Sequence, residues 1–121
     1  MFDAGGTEWL VDASGCDPLR LQSRAVLAAL FDQIVADLSL HPLGAPRWHA
    51  FPAPGGITGV VLLTESHLTC HTFPEREFAA LNLYCCRPRE TWPWEAGLRK
   101  ALGAAAVHVR TLERGAAVPS C

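Results

Sequence analysis

The sequence lacks the features that mark several large classes of protein. It carries 10 Lys+Arg against 12 Asp+Glu, a formal net charge of −2, and no basic run. Chains that track nucleic-acid phosphates cluster Lys and Arg, so no nucleic-acid partner is expected. The longest helix-like apolar stretch is broken by Asp32, Gln33 and Asp37, which makes it amphipathic, and no membrane span is expected. Met1 to Gly6 hold neither the basic nor the apolar stretch of a secretory signal, and this predicts a reducing, cytoplasmic setting. The five cysteines are Cys16, Cys70, Cys85, Cys86 and Cys121. An odd number with an adjacent pair makes a poor disulfide framework, so thiols are expected. Cys70, Cys85, Cys86, His67 and His71 match no usual zinc spacing, and no metal is expected. There is no G-x-S-x-G elbow to suggest a hydrolase triad.

What is present suits one domain: 121 residues, 50% hydrophobic and 18% charged. Thr7 to Ala13 read as a first strand, broken at Gly15. Asp17 can cap a helix whose first position is Pro18. Leu27, Leu30, Phe31, Ile34 and Leu38 then recur at helical spacing, and the helix should end near Ser39, before Pro42. Strands are predicted over 45–51, Ile57 to Thr64, His67 to Phe73, Ala79 to Cys86, and Val107 to Leu112. A turn separates Phe73 from Ala79, and a second helix is predicted over Pro93 to Leu102, ending at Gly103. Trp92 and Trp94 read as packing around it. Gly115 to Cys121 read as a loose tail. The order β-α-β-β-β-β-α-β predicts an α+β two-layer sandwich, a mainly antiparallel sheet with both helices on one face. The other face then lacks a cover, and a symmetric dimer would supply one.

Chemistry concentrates in Thr64-Glu65-Ser66-His67-Leu68-Thr69-Cys70-His71-Thr72-Phe73-Pro74-Glu75, which packs an acid, a hydroxyl, two histidines and a thiol into one strand–turn unit. In a regular strand Ser66, Leu68 and Cys70 share one face, and His67, Thr69, His71 and Phe73 share the other. Ser66 and His71 are therefore no couple by spacing alone.

This stretch, extended back to Thr58 and continued through Ala79-Ala80-Leu81-Asn82-Leu83-Tyr84-Cys85-Cys86, closely resembles the processing segment of prokaryotic S-adenosylmethionine decarboxylases. Weaker likeness lies at Gly15-Cys16, Val107-His108-Val109 and Glu113-Arg114-Gly115. The resemblance implies a pyruvoyl-dependent carboxy-lyase that makes the aminopropyl donor for spermidine synthesis. It implies self-cleavage between Glu65 and Ser66, giving chains 1–65 and 66–121. The Ser66 hydroxyl attacks the preceding carbonyl, and elimination and loss of ammonia turn Ser66 into a pyruvoyl group. That ketone can form a Schiff base with a substrate amine and accept the electrons left by CO₂ loss. By the same resemblance His71 takes the α-proton in the elimination, Cys86 reprotonates the product carbon, and Thr58 stands where a serine assists processing. Phe51, Phe73 and Glu75 match positions near the substrate, where rings can hold adenine and a sulfonium. A homodimer of cleaved protomers is implied, with active sites at or near the interface. Cys85 reads as a small core residue, and Cys16, Cys70 and Cys121 carry no assigned role.

Three departures bear on substrate. Glu8 stands where the family commonly has histidine, Asn82 where aspartate is common, and Arg76-Glu77 replace smaller turn residues. Ornithine or arginine is the alternative substrate class, and either needs a carboxylate for its distal cation, which Glu8, Asp12 or Glu77 would have to supply. An unprocessed regulatory partner of an active paralogue is the non-enzymatic alternative.

Overall fold

The computed structural model describes residues 5–86 and 89–115. The readings made for Met1 to Ala4, for the tail beyond Gly115 and for Cys121 lie outside the described residues. The chain runs β1 (Gly6–Ser14), α1 (Pro18–Leu21), α2 (Arg24–Asp37), β2 (Arg47–Ala50), β3 (Ile57–Leu63), β4 (Ser66–Phe73), a 3₁₀ turn (Pro74–Arg76), β5 (Phe78–Cys85), α3 (Trp94–Leu102) and β6 (Ala106–Arg114). The six strands form one antiparallel sheet in the order β2-β3-β4-β5-β1-β6. This is the expected α+β layout.

One expectation needs correction. The single helix predicted from Pro18 towards Ser39 is two helices, parted at Gln22 and Ser23. Asp17 caps the first, accepting from the Leu19 N–H at 2.9 Å, and Pro18 opens it as read from the sequence. Ser23 then starts a new helix by accepting from the Val26 N–H. The Leu21 carbonyl, left over at the end of α1, accepts instead from the Thr72 hydroxyl at 2.8 Å. Thr72 also accepts from the Ile57 N–H at 2.8 Å, so one buried hydroxyl ties α1, β3 and β4 together.

The helices cover one face of the sheet. Leu27, Leu30, Phe31 and Ile34 of α2 meet Val61, Leu68, Cys70, Leu81 and Leu83 in the core. Trp48 of β2 lies across Gly59 of β3, where any Cβ would collide with its ring, and the same ring packs on Phe31 with ring centroids 5.0 Å apart. Truncating Phe31 to alanine would cost about 3–5 kcal/mol. Trp92 is buried against Gly97 of α3 and donates to Asp37 at 2.9 Å, which joins the two long helices. Gly103 ends α3 in the left-handed conformation, with φ 68°.

The opposite face has no helix over it among the described residues. Period-2 alternation puts Glu8, Leu10, Thr58, Leu62, His67, His71, Phe73, Asn82 and Tyr84 there, and Leu62, Phe73 and Leu112 are exposed.

Candidate active site

Two turns set the register of everything that follows. Thr64 and Glu65 form the tip of a tight hairpin in which Leu63 pairs with Ser66. Counting back from that tip pairs Thr58 with His71. The Pro74–Arg76 turn pairs Phe73 with Phe78, and counting back from it pairs Ser66 with Cys85.

Around the tip the structure gathers Glu65, Ser66, Cys85 and Cys86. The Glu65 carbonyl oxygen accepts two hydrogen bonds from one residue, the Cys86 thiol and the Cys86 backbone N–H, the latter at 3.3 Å. Ser66 lies on the helix-covered face beside Cys85, whose thiol is buried. Burial pushes the Cys85 thiol up, and the neighbouring Ser66 hydroxyl and Arg89 guanidinium pull it back part of the way.

His71 and Thr58 form a second group. Thr58 Oγ1 lies 3.1 Å from His71 Nδ1 on the open face. At about 3.4 Å per residue, His71 sits about 17 Å along β4 from Ser66, and on the opposite face. Within one chain the structure therefore does not bring His71 to Ser66. Phe51, Phe73 and Glu75 lie farther still, Phe73 being about 24 Å along the strand from Ser66. Phe51 and Phe73 are exposed by 53% and 40%, and Glu75 lies exposed in the 3₁₀ turn. The sequence-derived site thus falls into a Ser66 end and a far end.

One cluster escaped the sequence reading. Glu8 accepts from Asn82 at 2.8 Å and from Arg114 at 2.7 Å. The Arg114 guanidinium lies 5.7 Å from the centre of the Tyr84 ring, and that ring is 5.8 Å from the His67 ring. Hydrogen bonds from Asn82, then from Arg114, hold the Glu8 carboxyl below its ordinary value. Glu8 and Asn82, two of the three departures noted in the sequence, are therefore partners. Their separation of 74 residues hid this, and only the β1–β5 register reveals it.

The family model for S-adenosylmethionine decarboxylase matches residues 7–115. The chain belongs to the S-adenosylmethionine decarboxylase family. A relative from Halalkalibacterium halodurans, named S-adenosylmethionine decarboxylase proenzyme 2, is 36% identical over 118 residues, 94% of this chain and 89% of that protein. The proenzyme of Thermotoga petrophila is 49% identical over 70 residues, 56% of this chain, and the match spans about half, 52%, of that relative's length. The crystal structure of the adenosylmethionine decarboxylase from Aquifex aeolicus VF5 superposes with a TM-score of 0.79 over 98% of both chains at 23% identity, which shows that the fold is shared. No helix among the described residues is long and apolar enough to cross a membrane.

Proposed function

We propose that this family member decarboxylates S-adenosylmethionine after cutting itself between Glu65 and Ser66 into chains 1–65 and 66–121. The observation that carries this reading is the paired donation of Cys86 to the Glu65 carbonyl oxygen. Attack by the Ser66 hydroxyl on that carbonyl carbon builds negative charge on this oxygen. Donors already aimed at it lower the barrier, as in an oxyanion hole. Peptide carbonyls at an ordinary hairpin tip have no such call on a thiol.

The carbon skeleton of Ser66, at the head of β4, becomes the pyruvoyl group while its hydroxyl oxygen leaves on the Glu65 carboxylate, and the β4–β5 ladder still holds that strand end once the bond before it is cut. When formed, the pyruvoyl group supplies a ketone that captures the substrate amine and takes up the electrons released with CO₂. Cys86 stays at the same end of the sheet, where its thiol can hand a proton to the substrate carbon. Phe51 and Phe73 offer ring faces for the adenine and the sulfonium, and Glu75 offers an acceptor for sugar hydroxyls.

These groups lie at opposite ends of one chain, so we read the active unit as a homodimer. Two open sheet faces packed together would bury Leu62, Phe73 and Leu112. A two-fold axis lying between the two sheets, over β4 between Ser66 and His71, carries the Thr58–His71 pair and the far-end rings of one copy towards the Ser66 end of the other. His71 would then take the α-proton of the ester across the interface, with Thr58 orienting its ring. A reducing cytoplasm suits a reaction that needs Cys86 as a free thiol.

Ornithine and arginine fit less well. Glu8, a candidate receptor for their distal cation, is already engaged by Arg114 and Asn82, and Glu77 is exposed in the turn beyond Phe73. Intact mass and carbonyl derivatisation test the cut: fragments 1–65 and 66–121 are expected, the second ketone-reactive, and a persistently single chain would favour the regulatory alternative. Carboxyl-labelled S-adenosylmethionine, ornithine and arginine, offered separately, test the substrate. Preferential CO₂ release from either basic amino acid would overturn that part of the reading.

A further inference from the structure

Cys85 and Cys86 follow one another at the end of β5, so their side chains leave opposite faces of the sheet. Both nevertheless reach the Glu65–Ser66 bond. Cys86 binds the carbonyl oxygen, while Cys85 is the direct cross-strand partner of Ser66. Side chains in that relation stand within reach of each other. Cys85 is 1% exposed, so water does not compete for the Ser66 hydroxyl on that side.

The geometry points to Cys85 as a positioning residue for self-cleavage: in the uncut chain its sulfur accepts the Ser66 hydroxyl in a hydrogen bond and holds it beside the bond it attacks. This rests on the self-cleavage reading and adds a second thiol to it. Cys86 attends to the electrophile and Cys85 to the nucleophile. In the acyl shift the Ser66 Oγ–Glu65 carbon bond forms, the carbon–nitrogen bond breaks, and the hydroxyl proton ends on the freed Ser66 nitrogen. An amide becomes an ester with a free amine, and nothing is gained or lost overall. Burial keeps Cys85 a neutral thiol, so it orients the hydroxyl and takes no proton. A sulfur accepts hydrogen bonds weakly but sufficiently to select one rotamer. The contact exists only before the cut, because conversion of Ser66 to a ketone removes the hydroxyl.

That timing separates positioning from packing. Cys85→Thr and Cys85→Val have nearly the same shape, and only threonine offers an acceptor. Cleavage of the full chain is followed from the moment of cell-free synthesis. The Val chain should convert about tenfold more slowly than wild type, the loss of roughly one hydrogen bond, and the Thr chain at close to the wild-type rate. CO₂ release per ketone-bearing chain should be alike in all three. Equal cleavage rates for the Thr and Val chains, both fast or both slow, overturn the inference. If either fails to fold by circular dichroism, Cys85→Ser and Cys85→Ala give the same comparison at smaller volume. A wild-type chain that never cuts would instead remove the self-cleavage reading itself.

Discussion

At its Ser66 end, β4 is enclosed by its own chain: the Glu65 carbonyl is held by Cys86, Ser66 faces buried Cys85, and Glu8, Asn82 and Arg114 are locked together on the open face beside it. At its Phe73 end the same strand presents exposed rings and an exposed carboxylate, with His71 and Thr58 paired just inside. The first arrangement suits chemistry on the chain's own backbone, where preorganised donors matter most. The second suits the capture of something from outside, where exposed aromatic surface is useful. One sheet thus carries two unlike groups of residues at its two ends, and the proposed dimer would join them.

The sharpest way to break this comparison is to disable one end in each of two chains. Ser66→Ala alone should remain uncut, and His71→Ala alone should stop at an ester that hydroxylamine cleaves. Co-expressed, the two should yield ketone-bearing fragments from the His71→Ala chain, because a mixed dimer retains one intact pairing. Mass spectrometry reads this directly, and no complementation would place both groups in one chain's site.

Next in size, Phe73→Ala and Phe51→Ala should raise KM by about tenfold through lost ring contacts while leaving the rate of self-cleavage unchanged. A gel time course beside steady-state kinetics checks both, and slowed cleavage would tie the far end to the backbone chemistry.

A smaller effect concerns Glu8. Its folded pKa is depressed by Asn82 and then Arg114, so the stability it contributes is present above the unfolded carboxylate value and lost as pH falls through the lowered folded value. Wild type should therefore melt above Glu8→Gln near neutrality, with the gap closing below about pH 4. Thermal melts across that range test it, and a gap independent of pH would point to lost shape, not charge.

The smallest effect is in thiol reactivity. Burial pushes Cys70 up to about 12 and Cys16 to about 11, Cys16 with a contribution from Glu77. Both are also closed to reagent, while Cys86 is partly exposed. Alkylation of the native protein at pH 8 should label Cys86 before Cys16, Cys70 and Cys85, as peptide mapping would show. Early loss of Cys70 would mean that the core opens locally.

Much of the fold was legible because its signals are local. The alternation in Ser66 to Phe73, the Asp17-Pro18 helix start and Gly103 after Leu102 each act within a few residues, and the structure keeps them all. The break at Ser23 was not legible, since apolar spacing runs on past it and Thr72, which takes up the Leu21 carbonyl, lies 51 residues away. The Ser66–Cys85 pairing was half legible, because the length of the turn after Phe73 dictates it once both strands are granted.

Sequence by itself determined the chemistry on offer: a hydroxyl after Glu65, a thiol at Cys86, a histidine at His71 and the strand that carries them. Residue types and period-2 alternation are properties of the chain, independent of where it folds. Tertiary structure decided which groups meet. Cys86 reaches the Glu65 carbonyl because β4 and β5 pair in one register, and Ser66 is kept from His71 because an extended strand separates five residues by about 17 Å. A strand's rigidity is what divides the site, holding the Ser66 end of β4 apart from its His71 end within one chain.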